Sequence, residues 1–291
     1  MCSDHSHIPI RDYRRYRHRW EMPMIWLSVL ITVGALCFAM GVVWIDSYGV
    51  LDSAMPPDEA TSLRDTAWGV LYLLPLAPLV FYVYRFFIAA QARSNAILVG
   101  PRQFPDLFAL YQDLGVRMDM ARLPKFYVTN GNGAVNAFAL ECNRRHNYIV
   151  MNAEIAMMLP QARDIVAFVL AHEMAHHKMR HVSLWRLVIG IVPNTMLLPG
   201  RTTTRAQEYS ADRLALAVCP DHASAVRLLA AGPWMANGVD PDAWLAQCDA
   251  EHREFMVRVA NGLSSHAVMV KRFKALRDIE RRGFAAHGEM F

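Results

Sequence analysis

Two long apolar runs open the chain, and shorter periodic patterns fill the rest. Residues 23–45 contain no charged side chain, and about 20 apolar residues suffice for a helix to cross a bilayer core. A second run covers 68–87 and continues to Ala90, broken only by Arg85. Its Pro75 and Pro78 fit, because membrane helices accept prolines. Both runs are read as transmembrane helices. The first is not a cleaved signal peptide, whose apolar core is shorter and whose basic run is more compact.

Beyond residue 90 the patterns are those of a folded domain. "FPDLFALYQDLG" (104–115) has helical apolar spacing and stops at a glycine, and "PKFYVT" (124–129) reads as a short strand. After the turn-rich "NGNGAV", "NAFALEC" (136–142) and "NYIVMN" (147–152) read as a hairpin joined by the polar turn "NRRH". From Gln161 to about His181 the apolar period is helical, with one side buried. The stretch 182–198 is strongly apolar but interrupted by Arg186, Pro193 and Asn194. If metal ligands lie on both sides of it, it cannot cross once, and two crossings need roughly 40 residues. It is expected to be a core segment or one that lies on the membrane face. The expected fold is mainly α with a small β-sheet (α+β). A basic segment 1–22 precedes two transmembrane helices with a short acidic loop (23–90), and residues 91–291 form the remaining domain.

Charge gives this layout a direction. Arg11, Arg14, Arg15, Arg17 and Arg19 precede the first span, while Asp46, Asp52, Asp58, Glu59 and Asp65 face a single Arg64 between the spans. The positive-inside bias places the amino terminus and the 91–291 domain in the cytoplasm of a multi-pass membrane protein, at the inner membrane if the cell is bacterial. The hydrophobic share of 54% is above the soluble average. The net charge of +4 sits largely beside the membrane, so lipid headgroups of the bilayer are the expected partner and nucleic acid is not. Cys2, Cys37, Cys142, Cys219 and Cys248 lack metal-ligand spacing and read as reduced thiols. Gly34 with Gly41, and Ala35 with Ala39, permit helix contacts and leave a homo-oligomer open.

The chemistry concentrates in "AHEMAHHKMRH" (171–181). Four residues along a helix advance about 400 degrees, so His172 and His176 point the same way and can reach one zinc ion. Glu173 lies beside them in the pattern H-E-x-x-H, where the glutamate is not a ligand but accepts the proton of the attacking water. His177 and His181 are turned about 140 and 180 degrees away on the same helix and are expected at the surface or behind the ligands. A catalytic zinc needs a third protein ligand. "RAQEYSADRLAL" (205–216) offers Glu208 and Asp212 four apart. One carboxylate there can bind the metal while the other fixes a ligating histidine.

"VLAHEMAHHKMRH" followed by "QEYSADRLAL" resembles the integral-membrane zinc metallopeptidases of the HtpX and CAAX prenyl protease family, with H-E-x-x-H and then E-x-x-x-D. The likeness extends to "VNAFAL" upstream and "SSHAVMVKRFKALRDI" downstream, over about 93–279. The resemblance implies a zincin-like metallopeptidase domain with one zinc ion per chain. His172, His176 and Glu208 would be the ligands, Glu173 the general base and Asp212 the group behind a ligand. Two features depart from the family. Ala267 stands where a proline usually follows the histidine, and 182–198 has no room for the further pair of membrane helices, which implies a reduced architecture.

The expected reaction is hydrolysis of a polypeptide substrate, and the developing oxyanion needs a donor. His266 and Tyr209 are candidates, with Arg272 a further one. Asn136, Ala137, Phe138 and Ala139 suit an edge strand to which an extended peptide adds by main-chain hydrogen bonds. The family resemblance points to quality control of unfolded or damaged membrane proteins. Two other readings stay open: a zinc-bound scaffold or regulator that does not cleave, and a narrow-specificity processing peptidase. An intact Glu173 argues against the first, and two spans cannot enclose the chamber expected of the second.

Overall fold

The computed structural model describes residues 10–196, 199–219, 229–232, 234–264 and 266–290. Helix α1 (Glu21–Asp46) leads through a short α2 (Val50–Ala54) into α3 (Pro57–Ser94). With 26 and 38 residues, α1 and α3 are about 39 and 57 Å long, against a hydrocarbon core of about 30 Å. The second apolar run is thus the later part of a longer helix. α3 begins at Pro57, whose fixed φ suits a first helical position, with Asp58 and Glu59 in the first turn. Trp26, Leu30, Phe38 and Trp44 of α1 and Tyr72, Leu73, Leu79 and Val83 of α3 face outward. Between the helices pack Ala39, Val42, Ala60 and Ala67, so Ala39 makes a contact within the chain.

Both helices attach to the folded part, α1 through its first half and α3 through its last turns. Within the first half of α1, Ser28 Oγ lies 3.2 Å from Thr203 Oγ1 and Thr32 donates to the Ile189 carbonyl at 2.8 Å. The last turns of α3 lay Phe86, Ile88, Ala89 and Ala92 on one face of a sheet.

That sheet contains β1 (Ala96–Leu98), β2 (Lys125–Thr129), β3 (Ala137–Asn143) and β4 (His146–Asn152), in the order β1-β2-β4-β3. β2 and β4 are parallel and the other pairs antiparallel. The expected hairpin is present but tighter, because Asn143 Oδ1 accepts the N–H groups of Arg145 and His146 at 2.9 Å. β1 was not legible in the sequence, being only three residues long. On the other face of the sheet, Phe126, Val128, Ile149 and Met151 join α4 (Pro105–Arg117) and α6 (Arg163–Lys178) in the main core. Covered on both sides, the sheet needs apolar residues at successive positions of β4. α4 corrects the expected stop at Gly115: the helix runs on to Arg117. A Cβ at Gly115 would lie 2.5 Å from Leu123 Cδ2, so this glycine admits a close neighbour rather than ending a helix.

α6 also ends earlier than expected. It stops at Lys178, and Arg180 adopts φ 61°, which turns the chain back before His181. The ambiguous stretch 182–198 contains α7 (Leu184–Thr195), about 18 Å long. It is too short to cross a bilayer and packs against α1, α3 and α8 (Pro199–Val218). Then follow α9 (Pro241–Glu251), α10 (Phe255–Leu263) and α11 (Met269–Arg282). The segment before α1 is threaded into this part, since Arg213 Nε donates to the Tyr16 carbonyl at 2.9 Å and the His18 N–H donates to Ser210 Oγ at 2.8 Å.

Candidate metal centre

α6 and α8 cross so that one turn of each faces the other. Ile165, Phe168, Leu170 and Met174 of α6 and Ala211, Leu214 and Ala215 of α8 enter the core, and this packing brings Glu208 to the histidine pair. His172 Nε2 and His176 Nε2 lie 3.1 Å apart. Glu208 Oε2 is 3.4 Å from the first and Glu208 Oε1 is 3.5 Å from the second. The ligand atoms of all three residues fall within 4.8 Å of one another.

The groups behind them decide what these atoms present. Asp212 Oδ1 lies 2.9 Å from His172 Nδ1, so the ring proton belongs on Nδ1 and the lone pair on Nε2. His176 Nδ1 is likewise occupied by His181 Nδ1 at 3.0 Å. Two imidazole lone pairs and a carboxylate therefore converge. A donor set of this kind suits a metal cation, and nitrogen with oxygen is within zinc's preferred chemistry.

Asp212 is held in turn by Arg272 of α11, which donates from Nε at 2.8 Å and from Nη2 at 2.5 Å. Burial alone would raise the Asp212 carboxyl, but Arg272 and His172 together hold it below the ordinary carboxylate range. Glu173 is buried beside the triad without being part of it. Burial pushes its carboxyl up to about 7, His172 opposes the rise and the Glu208 carboxylate adds to it.

A cavity of about 240 Å³ opens onto these groups, lined by His172, Glu173, Glu208, His266 and Arg272 on its polar side. Asn136 and Ala137 border it as well, together with the apolar Val135, Ile155, Phe168, Val169, Leu229 and Met269. Of the four strand residues expected near a substrate, Asn136 and Ala137 reach the cavity. Phe138 instead packs with the cluster under α3, and Ala139 pairs with Ile149 inside the hairpin. β3 does lie at an edge of the sheet.

His266 Nδ1 lies 3.3 Å from Glu208 Oε2, and its side chain is largely exposed. The Glu208 contact raises its pKa. Tyr209, a candidate oxyanion donor, is directed elsewhere: its hydroxyl donates to the Glu289 carbonyl at 3.0 Å. One helix position past Glu208 is about 100 degrees round the axis, which turns Tyr209 away from the triad.

His177 and His181 are both buried rather than at the surface. His177 Nε2 bonds the Tyr148 carbonyl at 3.0 Å, and burial lowers its pKa to about 4. His181 takes one of the two expected places, behind a ligand, and the turn at Arg180 rather than the helix brings it there. Arg272 as the partner of Asp212 was beyond the sequence pattern, because no spacing links residues sixty positions apart.

A helix carrying H-E-x-x-H, a carboxylate from a later helix and an adjacent small sheet define a metallopeptidase. Residues 101–202 match the family model of Peptidase family M48. Residues 101–202 are thus an M48 metalloendopeptidase segment, and the candidate metal site joins its His172 and His176 to Glu208 beyond it. The match covers both histidines and ends before Glu208, which folding alone delivers. No curated protein and no solved structure matches the chain.

Proposed function

We propose that the protein is a membrane-anchored zinc endopeptidase that hydrolyses peptide bonds in unfolded or damaged membrane proteins, a role in proteolytic quality control. The observation that carries the reading is a buried, non-ligating Glu173 beside three converging metal ligands and a cavity bordered by Asn136 and Ala137. One zinc ion per chain, held by His172, His176 and Glu208, would polarise the scissile carbonyl and make the attacking water more acidic.

Glu173 takes the proton of that water and passes it to the leaving amine. A carboxyl pushed up to about 7 both accepts and releases a proton near neutrality. Asp212 keeps the proton of His172 on Nδ1, and Arg272 holds Asp212 in place. His266 stands at the cavity as a hydrogen-bond donor for the developing oxyanion. Arg272, already bound twice by Asp212, is less free to turn. The edge of β3 receives an extended peptide through main-chain hydrogen bonds, which read backbone rather than sequence. The apolar wall of Val169, Phe168 and Met269 favours an apolar substrate side chain. Arginines before α1 and acids after it orient the domain to the cytoplasm, where it meets polypeptide rather than nucleic acid. A homo-oligomer is compatible with this arrangement.

Cleavage of an unfolded generic protein by the detergent-purified chain, with zinc content measured alongside, tests the reading. Wild type and Glu173→Gln should both hold zinc, and only wild type should cleave. Equal cleavage by both would remove Glu173 from the chemistry. Zinc in both with cleavage by neither, even after reconstitution in membranes, would favour a non-cleaving zinc protein.

A further inference from the structure

Behind His176 lies a second layer of buried polar groups that links the metal helix to the start of the first apolar helix. Glu21, the first residue of α1, is fully buried. Its Oε1 accepts both terminal nitrogens of Arg186 at 3.1 Å, pairs with Arg17, and lies 3.2 Å from His181 Nε2. His181 Nδ1 faces His176 Nδ1 at 3.0 Å. Arg17 and Arg186 also donate to the Met179 carbonyl, at 3.2 and 3.4 Å. Two guanidinium groups thereby meet the negative end of the α6 dipole.

Only one proton arrangement satisfies this series when His176 Nε2 serves the metal. His176 Nδ1–H donates to His181 Nδ1, and His181 then carries its proton on Nε2, toward the Glu21 carboxylate. We infer that His181 and Glu21 are positioning residues of the metal centre: Glu21 fixes the tautomer and ring orientation of His181, and His181 does the same for His176. The two ligating histidines are thus supported differently, His172 by Asp212 directly and His176 by a carboxylate acting through a second imidazole. The inference rests on the metal reading of the site. It also makes the first turn of α1 part of the centre, so the placement of the membrane anchor bears on how tightly His176 is held.

A purely structural role for this network would alter folding and leave the metal alone, and the test separates the two. Full-length wild type, His181→Gln, Glu21→Gln and His177→Gln are purified in detergent and stripped of metal. Zinc affinity is then measured by chelator competition, the visible spectrum of the cobalt-substituted protein is recorded, and the unfolding midpoint of the metal-free form is followed. His177 is the comparison because it is also buried, on the metal helix itself, but bonds Tyr148 instead. Loss of a group behind a metal ligand weakens affinity about 10- to 100-fold.

His181→Gln is expected to fall in that range with a changed cobalt spectrum, and Glu21→Gln is expected to weaken affinity in the same direction. His177→Gln should lower the midpoint without changing zinc affinity. If His181→Gln fails to fold, Glu21→Gln decides alone. Wild-type affinity and spectrum in the folded relay variants would overturn the inference while leaving the metal site intact. A wild type that binds no metal would overturn the reading beneath it as well.

Discussion

Replacing Asp212 by asparagine probes the best-defined support of the metal site. The carboxylate faces His172 Nδ1 at 2.9 Å and takes two hydrogen bonds from Arg272, at 2.8 and 2.5 Å. Asparagine keeps the shape but offers one carbonyl where there were two acceptors, so an N–H must face either the imidazole or the guanidinium. If it faces His172, the ring proton moves to Nε2 and the lone pair leaves the triad. Zinc affinity should then fall about 10- to 100-fold, equivalent to about 1.4–2.7 kcal/mol. If it faces Arg272, a buried charge loses part of its pairing, and the metal-free protein loses on the order of 1–3 kcal/mol. Chelator competition reads the first effect, and thermal unfolding of metal-free protein in detergent micelles reads the second. Wild-type values in both assays would refute the assignment of Asp212 as the support of His172.

Three further outcomes are expected. Chelation should stop cleavage and lower the thermal midpoint, and zinc should restore both; at a free metal concentration 100 times Kd the stabilisation is about 2.7 kcal/mol, and a midpoint indifferent to chelator would contradict it. Burial lowers His18 to about 4, opposed by its bond to the Gly288 carbonyl at 2.9 Å. The unfolded chain therefore binds this proton before the folded one does. Stability is complete above about 6.5, the unfolded histidine value, and declines as pH falls toward 4. At pH 5 the His18 contribution is a loss of about 2 kcal/mol; His18→Gln should flatten the acid limb of a stability profile, and an unchanged profile would exclude His18 as its source. Gly200→Ala should destabilise by about 1–3 kcal/mol, measurable as a lowered midpoint, although alanine is the better helix former. A Cβ there would lie 2.7 Å from Asn194 Cα and 2.8 Å from Asn194 N, backbone atoms that cannot swing aside.

Much of this protein is decided by short-range pattern. The uncharged run 23–45 requires an apolar helix wherever it sits, because its backbone groups must be satisfied internally and its side chains kept from water. The four-residue step from His172 to His176 places both rings on one side of any α-helix, and the same step links Glu208 to Asp212. Hairpin β3–β4 follows from two apolar runs flanking a polar turn.

Packing decided the rest. Glu208 reaches the histidines because α6 and α8 bury their apolar faces together, and Tyr209 is lost as a donor through the same rotation of α8. His181 stands behind His176 only because Arg180 leaves the helical region. Projection along a continuing helix necessarily put it on the far side. Arg272 and Glu21 come from opposite ends of the chain to support opposite ligands. The sequence alone determined which residues share a face within each element, since backbone geometry repeats locally. Which faces meet was decided by the tertiary structure, where side-chain volume, burial and the pairing of buried charge are satisfied together.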